Sequence, residues 1–203
     1  KGIGAGGGLG KIMADWVIDG YPSGDIWECD VRRTHPVQKS DEYVAERIPE
    51  ALGHTYDMHW PFYQYKTARN LMLSPLHDAL AAKGACFGEV GGYERPNWFA
   101  RDGAEASYQY SYKRQNWFDF HAAEHLAVRA SLGVFDMSSF AKFEVTGRDA
   151  EAELQYIAVA DIQVPVGDVV YTQFLDERGG INADLSIVRI EAERFWVITS
   201  IGS

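Results

Sequence analysis

The stretch VYTQFLDERGGINADLSIVR, Val170–Arg189, decides the fold of the second half of the chain. A Gly179-Gly180 pair, which is a turn signal, separates two strand-like runs at 168–175 and 184–190. Side chains on a strand alternate between its two faces, so Ser186 shares a face with Asp184. The stretch therefore predicts a β-hairpin with a carboxylate at its shoulder.

The residues around this hairpin predict an α+β fold. A helix with small and apolar residues on one face is predicted at 119–132, and a second one from about Asp149 to Ile157. Further strand-like runs occupy 133–136, 142–147 and 195–200. Because the strands are joined by turn signals and short helices, we expect antiparallel pairing.

The first half is richer in predicted helices. A glycine-rich segment at 4–10 precedes a helix from Lys11 to Asp19, and a second helix spans 41–52 with Ser40 as its N-cap. Ser74-Pro75 opens a third helix, which ends near Lys83. The predicted elements after it are a strand from Ala85 to Val90 and a Gly91-Gly92 turn.

Composition excludes several classes of function. The chain has 203 residues, of which 46% are hydrophobic and 24% are charged, a composition that fits one or two globular domains. Its net charge of -10 and the lack of a basic stripe argue against a nucleic-acid partner. No apolar run reaches the roughly 18 residues that span a bilayer, so we expect no membrane partner. Without an initiator Met or a signal-peptide pattern at Lys1, we expect an internal segment of a longer protein.

The glycine-rich segment GAGGGLG, 4–10, has the chemistry of a cofactor site when a helix follows it. Glycines allow a ligand to approach the backbone, and a helix N-terminus offers free N–H groups and partial positive charge. A dinucleotide-binding loop also needs a preceding strand, and only three residues precede Gly4. Close packing of a helix on a sheet is therefore the favoured interpretation from the residues alone.

Candidate metal ligands are few. His121 and His125 stand four residues apart on a predicted helix, in an H-A-A-E-H pattern that matches one zinc-peptidase spacing. No third ligand has a clear role, so we predict no metal. Cys29 and Cys86 lie outside any CxxC pair and are expected to be reduced, buried thiols. Such thiols indicate a reducing compartment, the bacterial cytoplasm or, alternatively, the mitochondrial matrix.

Two charged residues could contact a ligand. Arg95, in a Glu94-Arg95-Pro96 run that predicts a fixed loop, could hold a carboxylate, or could bind carbonyls and stack on Trp98. The second interpretation is favoured. From spacing alone Asp184 could be solvated and inert, cap a turn, or bind a protonated nitrogen, and the inert interpretation is favoured.

Three blocks in the second half resemble the opening of the aminomethyltransferase, or glycine-cleavage T-protein, domain. They are GVFDMSSFAKFEVTG (133–147), the hairpin stretch at 170–189 and FWVITS (195–200). Upstream, the glycine-rich segment with its helix, Asp30–Pro36 and Glu94–Phe99 resemble the middle of dimethylglycine and sarcosine dehydrogenases. The resemblance implies the tail of an FAD domain at 1–35, a central oxidoreductase domain at 36–100, and the start of a folate-binding domain at 101–203.

The resemblance also implies a chemistry. In this family FAD oxidises an N-methyl amine, dimethylglycine or sarcosine, and tetrahydrofolate captures the one-carbon unit. Asp184 would be the catalytic residue, holding the folate nitrogen that attacks this unit. The glycines implied beside the flavin are Gly6, Gly7, Gly8 and Gly10. The positions implied in the folate pocket are Phe140, Tyr171, Asp184, Ser186, Trp196 and Ile198.

The sequence departs from the T-protein pattern at Trp196, where that family usually has Tyr, and at Ser200, where it has Asn. Pterin packing tolerates the first change, and the second removes one polar contact. The expected partners are an N-methyl amine, folate and the rest of the parent chain. Two alternatives stay open: a folate-dependent aminomethyltransferase, and a regulatory relative without catalysis. The chain by itself is expected to be inactive.

Overall fold

A computed structural model describes residues 2–24, 26 and 29–200. The chain divides after Val44 into two compact units. The helices are α1 (Gly2–Asp19), α2 (Asp41–His54), α3 (His77–Ala81), α4 (Phe118–Ala130) and α5 (Ala150–Ile157), with short 3-10 helices at Val31–Arg33 and Pro36–Lys39. The strands are β1 (Ala85–Val90), β2 (Tyr93–Phe99), β3 (Ala141–Thr146), β4 (Val169–Leu175), β5 (Ile181–Glu191) and β6 (Arg194–Thr199). This confirms the predicted α+β class.

The last four strands form one antiparallel sheet in the order β3-β6-β5-β4. The β4–β5 connection carries Gly179 at a φ of +82°, where a residue without a Cβ is favoured. The pairing register sets Tyr171 opposite Ser186, and Ser186 opposite Ile198. The hairpin predicted from the Gly179-Gly180 pair is therefore present.

One face of this sheet carries the main core. Leu185 and Ile187 on β5, and Phe195 and Val197 on β6, are buried together with Leu154 of α5. These β5 and β6 residues alternate with more exposed ones, as expected for a sheet that is covered on one side. Side chains on the opposite face of the sheet are more exposed, and they include those of Tyr171 and Trp196.

β1 and β2 form a separate antiparallel hairpin around Gly91 and Gly92, both at positive φ. The sequence predicted a fixed loop at Glu94-Arg95-Pro96, and this prediction is wrong, because Tyr93–Phe99 is a strand. A register shift between Cys86 and Phe87 places Pro96 opposite Phe87. A two-stranded sheet has only edge strands, where a residue without an N–H is tolerated.

The glycine-rich segment differs from the prediction. α1 begins at Gly2 rather than Lys11, so Gly6, Gly7, Gly8 and Gly10 lie inside the helix. Each glycine costs about 1 kcal/mol of helix propensity relative to alanine, but no proline interrupts 2–19. The loop expected before the helix is therefore absent from the described residues.

Other local predictions had mixed outcomes. Ser40 caps α2 as predicted, its Oγ accepting from the N–H of Tyr43 at 3.2 Å. The helix predicted from Ser74-Pro75 is reduced to α3, because Ser74 Oγ instead accepts from the N–H of Leu76 at 3.2 Å and forms a turn. The strand predicted at 133–136 is not formed.

Both cysteines are free, but only Cys86 is buried, so the prediction of burial is wrong for Cys29, which is exposed. Burial raises the pKa of the Cys86 thiol to about 11, and the nearby indole of Trp98 only partly offsets this rise. Cys86 is therefore a protonated packing residue at neutral pH. Within the described part of the chain, no helix combines the length and apolar character needed to cross a bilayer.

Glu50 of α2 anchors the segment that follows this helix. Its carboxylate accepts from Tyr63 Oη at 2.6 Å and from the backbone N–H groups of Lys66 and Thr67, each at 2.9 Å. The Thr67 hydroxyl also donates to it. Burial alone raises the pKa of Glu50, but these donors outweigh it and lower the pKa to about 2.

The packing of α5 on the sheet gives a first prediction. Leu154→Ala removes a fully buried side chain, so we expect the free energy of unfolding to fall by about 2–5 kcal/mol. Leu126→Ala is the matched control, because Leu126 on α4 is 68% exposed and its loss is expected to cost less than about 0.5 kcal/mol. Urea unfolding followed by circular dichroism measures both. Equal losses would contradict the assignment of the core.

The hydrogen bonds to Glu50 predict a pH dependence. The folded pKa of about 2 lies below the ordinary value of 4.5, so the stabilisation is complete above pH 4.5 and is lost as the pH falls towards 2. Glu50→Gln is expected to cost about 1–3 kcal/mol at pH 7 and to flatten this acid limb. Glu46→Gln, an exposed change on the same helix, is the control. A Glu50→Gln protein with the wild-type acid limb would refute the role of Glu50.

Candidate functional site

The more exposed face of the sheet, opposite the core, carries most of the predicted folate residues. Because Leu185 and Ile187 point into the core, Asp184 and Ser186 between and beside them point to the opposite face. The core residues Phe195 and Val197 place Trp196 and Ile198 on that same face. We call this surface the open face and define it by Tyr171, Asp184, Ser186, Trp196 and Ile198.

Aromatic rings are exposed on the open face. Tyr171 is 62% exposed and Trp196 is 44% exposed, although large aromatic side chains are usually buried. Ser186 and Ile198 are paired between their strands, and Tyr171 pairs with Ser186. Two flat rings therefore stand near a small polar residue and an aliphatic one, an arrangement suited to a planar heterocycle.

A hydrogen bond links two of these residues. Tyr171 Oη donates to Asp184 Oδ2 at 2.6 Å. This bond to the carboxylate, together with desolvation and the negative charge, raises the pKa of Tyr171, and a hydrogen bond from the Gln173 side chain offsets part of the rise. The phenol is therefore a donor throughout the physiological pH range. No group among the described residues donates to Asp184 Oδ1, which stays available to a ligand.

Phe140, the remaining predicted folate residue, directly precedes β3. Lys142 Nζ donates to the carbonyl of Phe140 at 2.8 Å and to that of Ser138 at 3.0 Å, which holds this segment in place. The guanidinium of Arg95 lies 6.0 Å from the centre of the Phe140 ring. Lys142 pairs with Ile198 across the strands, so Phe140 approaches the edge of the open face.

Sequence reasoning missed the residues that fix Trp196. Trp196 Nε1 donates to Glu144 Oε2 at 3.0 Å, and Arg194 Nη2 donates to the same oxygen at 2.8 Å. The hydrogen bond from Trp196, followed by that from Arg194, lowers the pKa of Glu144. Glu144 lies directly opposite Trp196 in the β3–β6 register. Alternation on β3 could have indicated its face, but the pairing depends on a register that the sequence does not reveal.

Arg95 does not behave as expected. The favoured interpretation, that it binds carbonyls and stacks on Trp98, is wrong, since the ring beside it is Phe140 and Trp98 stacks on Phe120. Among residues 2–24, 26 and 29–200, no partner forms a hydrogen bond or ion pair with the guanidinium of Arg95. It lines a cavity of about 400 Å³ between β2, α4 and 134–137, which Glu124 and Asp136 also line. A mixture of one cation and two carboxylates gives this cavity no clear preference for an anion.

The buried acid next to Arg95 has a structural role. Glu94 is 3% exposed and accepts from Arg69 Nε at 2.7 Å and from the N–H of Asn70 at 2.8 Å. Arg69 Nη2 also donates to it. Burial raises the pKa of Glu94, but these donors outweigh burial and the net pKa is lowered. Arg69 and the buried Glu94 therefore form an ion pair that joins the preceding loop to β2.

The H-A-A-E-H pattern lies on α4. The rings of His121 and His125 meet edge to face with centroids 4.6 Å apart. The described residues contain no group of three or more His, Cys, Asp or Glu side chains that could hold a metal ion. The zinc interpretation thus gains no third ligand from the described part of the chain.

The glycines predicted beside the flavin do not form a cofactor cradle in this structure. Only the first four N–H groups of a helix lack an intrahelical partner, and in α1 these precede Gly6. A Cβ added at Gly6, Gly7, Gly8 or Gly10 would meet no described atom within 4 Å. The role of these glycines beside the flavin stays a prediction.

Comparison with known families agrees with the two halves of the chain. Residues 76–203, more than half of the chain, match the GCVT N-terminal domain. The chain belongs to this family. Residues 19–74 match the FAD dependent oxidoreductase central domain. The two matches meet near residue 75, and the predicted domain boundaries after residues 35 and 100 stay predictions.

The proteins to which this chain is similar include enzymes and a regulatory subunit, each longer than the chain. It is 48% identical over 192 residues to 4-methylaminobutanoate oxidase (formaldehyde-forming) of Paenarthrobacter nicotinovorans, covering 95% of this chain and 23% of that protein. It is 38% identical over 203 residues to the mitochondrial pyruvate dehydrogenase phosphatase regulatory subunit of Mus musculus, covering 98% and 23%. Mitochondrial sarcosine dehydrogenase of Mus musculus is 33% identical over 210 residues, covering 91% and 23%.

The predicted membership of the dimethylglycine and sarcosine dehydrogenase family is confirmed by these matches. The chain spans about 23% of the length of these relatives. A solved structure, aminomethyltransferase T of Bartonella henselae, is 28% identical with a TM-score of 0.51, covering 66% of this chain and 32% of that one. This agrees with a GCVT fold in the second half.

The geometry of α1 predicts the flavin content of the chain. Because the glycine N–H groups are used inside the helix, we expect the 203-residue chain, expressed alone, to purify without stoichiometric flavin. The absorbance ratio at 450 and 280 nm would measure this, with the full-length protein as the control. A yellow preparation of the chain alone, with flavin near one equivalent, would refute the expectation.

Proposed function

We propose that the full-length protein is an FAD-dependent enzyme that oxidatively demethylates an N-methyl amino acid and passes the one-carbon unit to tetrahydrofolate. In this proposal the GCVT half of the chain provides one wall of the folate site. The names of the relatives support the N-methyl amino acid class, and the central-domain match supports FAD. The observation that carries the folate half is Asp184, with one acceptor oxygen unused, on the same face as the exposed rings of Tyr171 and Trp196.

The open face fits a reduced pterin chemically. Tyr171 and Trp196 would pack against its rings, and Ile198 would add an aliphatic contact. Ser186 supplies a small polar group between them. Phe140 closes the edge of the site, where Lys142 holds its backbone. In this proposal these residues shape the pocket and stack on the pterin, and the carboxylate of Asp184 orients the pterin.

Tetrahydrofolate, when bound, supplies the nucleophilic nitrogen that captures the one-carbon unit. Asp184 Oδ1 would accept the N–H of that nitrogen and so fix its position. A carboxylate hydrogen-bonded to this nitrogen would also stabilise the positive charge that develops on it during attack. Asp184 therefore acts in this proposal by orienting a nitrogen and by stabilising charge.

The proposed substrate of the oxidation is an N-methyl amino acid. Dimethylglycine and sarcosine are the candidates that the sequence resemblance implies. The relative at 48% identity is named for 4-methylaminobutanoate, a longer N-methyl amino acid. The compartment also stays open between a bacterial cytoplasm and the mitochondrial matrix, since relatives with mitochondrial names stand beside the oxidase of Paenarthrobacter nicotinovorans.

A second candidate function is regulation of another enzyme. The specific observation behind it is the 38% identity, over the whole length of the chain, to a phosphatase regulatory subunit. A regulatory protein would keep the fold and the packing of the sheet. It would not need a free oxygen on Asp184 to bind folate. Folate-dependent activity of the full-length protein distinguishes the two candidates.

Asp184 gives the central prediction. In the full-length protein, Asp184→Ala is expected to lower the rate of methylene-tetrahydrofolate formation by about tenfold or more, because a charged acceptor is lost. Amine oxidation with an artificial electron acceptor is expected to be unchanged. The two rates are measured separately, by folate product analysis and by dye reduction.

Glu177→Ala is the matched control, since it removes an exposed carboxylate from the β4–β5 turn of the same hairpin. It is expected to leave both rates at the wild-type level. If Asp184→Ala also leaves folate product formation unchanged, the role of Asp184 is refuted. If the wild-type protein oxidises no N-methyl amine and binds no folate, the regulatory candidate is favoured.

A further inference from the structure

The hydrogen bond between Tyr171 and Asp184 connects residues that are not directly opposite. In the β4–β5 register Tyr171 faces Ser186, and Asp184 faces Gln173, so the bonded residues are diagonal neighbours. Diagonal positions on one face lie about 7–8 Å apart, a distance that long aromatic side chains can bridge. The phenol ring of Tyr171 therefore spans the strands, and its hydroxyl reaches Asp184 Oδ2 at 2.6 Å.

The backbone of Asp184 is already held. The hydroxyl of Thr199, a buried residue of β6, donates to the carbonyl of Asp184 at 2.8 Å. Ladder pairing on both sides of β5 adds to this constraint. The remaining freedom of Asp184 is rotation of its side chain, and an exposed carboxylate on a strand would otherwise sample several rotamers. The bond from Tyr171 selects one of them.

The two oxygens of Asp184 thus have different roles. Oδ2 is occupied by the phenol, and among the described residues nothing donates to Oδ1. The raised pKa of Tyr171 keeps the phenol protonated, so it donates to Oδ2 while its own oxygen can accept a hydrogen bond from the Gln173 side chain. A donor that approaches the open face therefore meets one free carboxylate oxygen in a fixed orientation.

We propose that Tyr171 is a positioning residue that holds Asp184 Oδ2, so that Oδ1 alone receives an N–H group of the folate. This inference rests on the proposed folate site and deepens it, because it assigns separate roles to the ring and the hydroxyl of Tyr171. The ring contributes packing, and the hydroxyl acts only through Asp184.

The test is a double-mutant cycle in the full-length protein. The variants are Tyr171→Phe, Asp184→Ala and their combination, assayed for folate affinity and for the single-turnover rate of one-carbon transfer to tetrahydrofolate. Tyr171→Phe keeps the ring, so the Kd for tetrahydrofolate is expected to change less than about threefold. The transfer rate is expected to fall by about tenfold, the loss typical of a hydrogen bond to a charged group.

The cycle separates indirect from direct action. If Tyr171 works through Asp184, Tyr171→Phe has no further effect in the Asp184→Ala background. If the two losses multiply, Tyr171 acts on the folate independently and the inference is overturned. A Tyr171→Phe protein with the wild-type transfer rate also overturns it.

Controls keep the outcome interpretable. Tyr156→Phe removes the hydroxyl of another exposed tyrosine, on α5, and is expected to change neither Kd nor rate. Because Tyr171 is 62% exposed, Tyr171→Phe is expected to retain the wild-type thermal unfolding midpoint. A silent Asp184→Ala would refute the proposed folate function itself. An impaired Asp184→Ala with a silent Tyr171→Phe would refute only the inference about Tyr171.

Discussion

The rest of the GCVT half depends on one constraint: the side chains of β5 point alternately into the core and onto the open face. Leu185 and Ile187 are buried because they pack with Phe195, Val197 and α5. A shift of one residue would expose these apolar side chains and bury Asp184, which would cost several kcal/mol in lost burial alone. The hydrophobic core therefore fixes the direction in which the carboxylate points, before any contact on the open face is considered.

Between residues 45 and 99, ion pairs and hydrogen-bonded carboxylates hold the chain segments together. Arg69 pairs with Glu94, and Arg47 pairs with Glu89 at 2.5 Å, with the paired side chains wholly or largely buried. Removing one partner of a buried ion pair destabilises the fold, so the first pair holds the loop of Arg69 to β2 and the second holds α2 to β1. Glu50 holds a third loop by accepting from two backbone N–H groups. Polar contacts rather than a large core organise this irregular region.

The open face combines a rigid frame with unused recognition groups. Glu144 fixes the indole of Trp196, and Tyr171 fixes the carboxylate of Asp184. Both supports come from a neighbouring strand, so the orientation of each group depends on strand pairing rather than on its own strand. A face built in this way presents aromatic surface and one free acceptor with little rotational freedom, which lowers the entropic cost of binding.

The sequence by itself determined the α+β class, the β4–β5 hairpin with its glycine turn, α5, and the shared face of Asp184 and Ser186. These features follow from local signals, namely side-chain alternation, turn residues and helix periodicity. The sequence prediction was wrong at the start of α1, because glycines are typical of loops, and at β2, because Pro96 is also typical of a loop. Only the tertiary structure decided that Tyr171 bonds Asp184, that Glu144 holds Trp196 and that Arg69 neutralises Glu94. The physical reason is that these contacts join residues on different strands or loops, and their geometry depends on a register and a packing that no local pattern encodes.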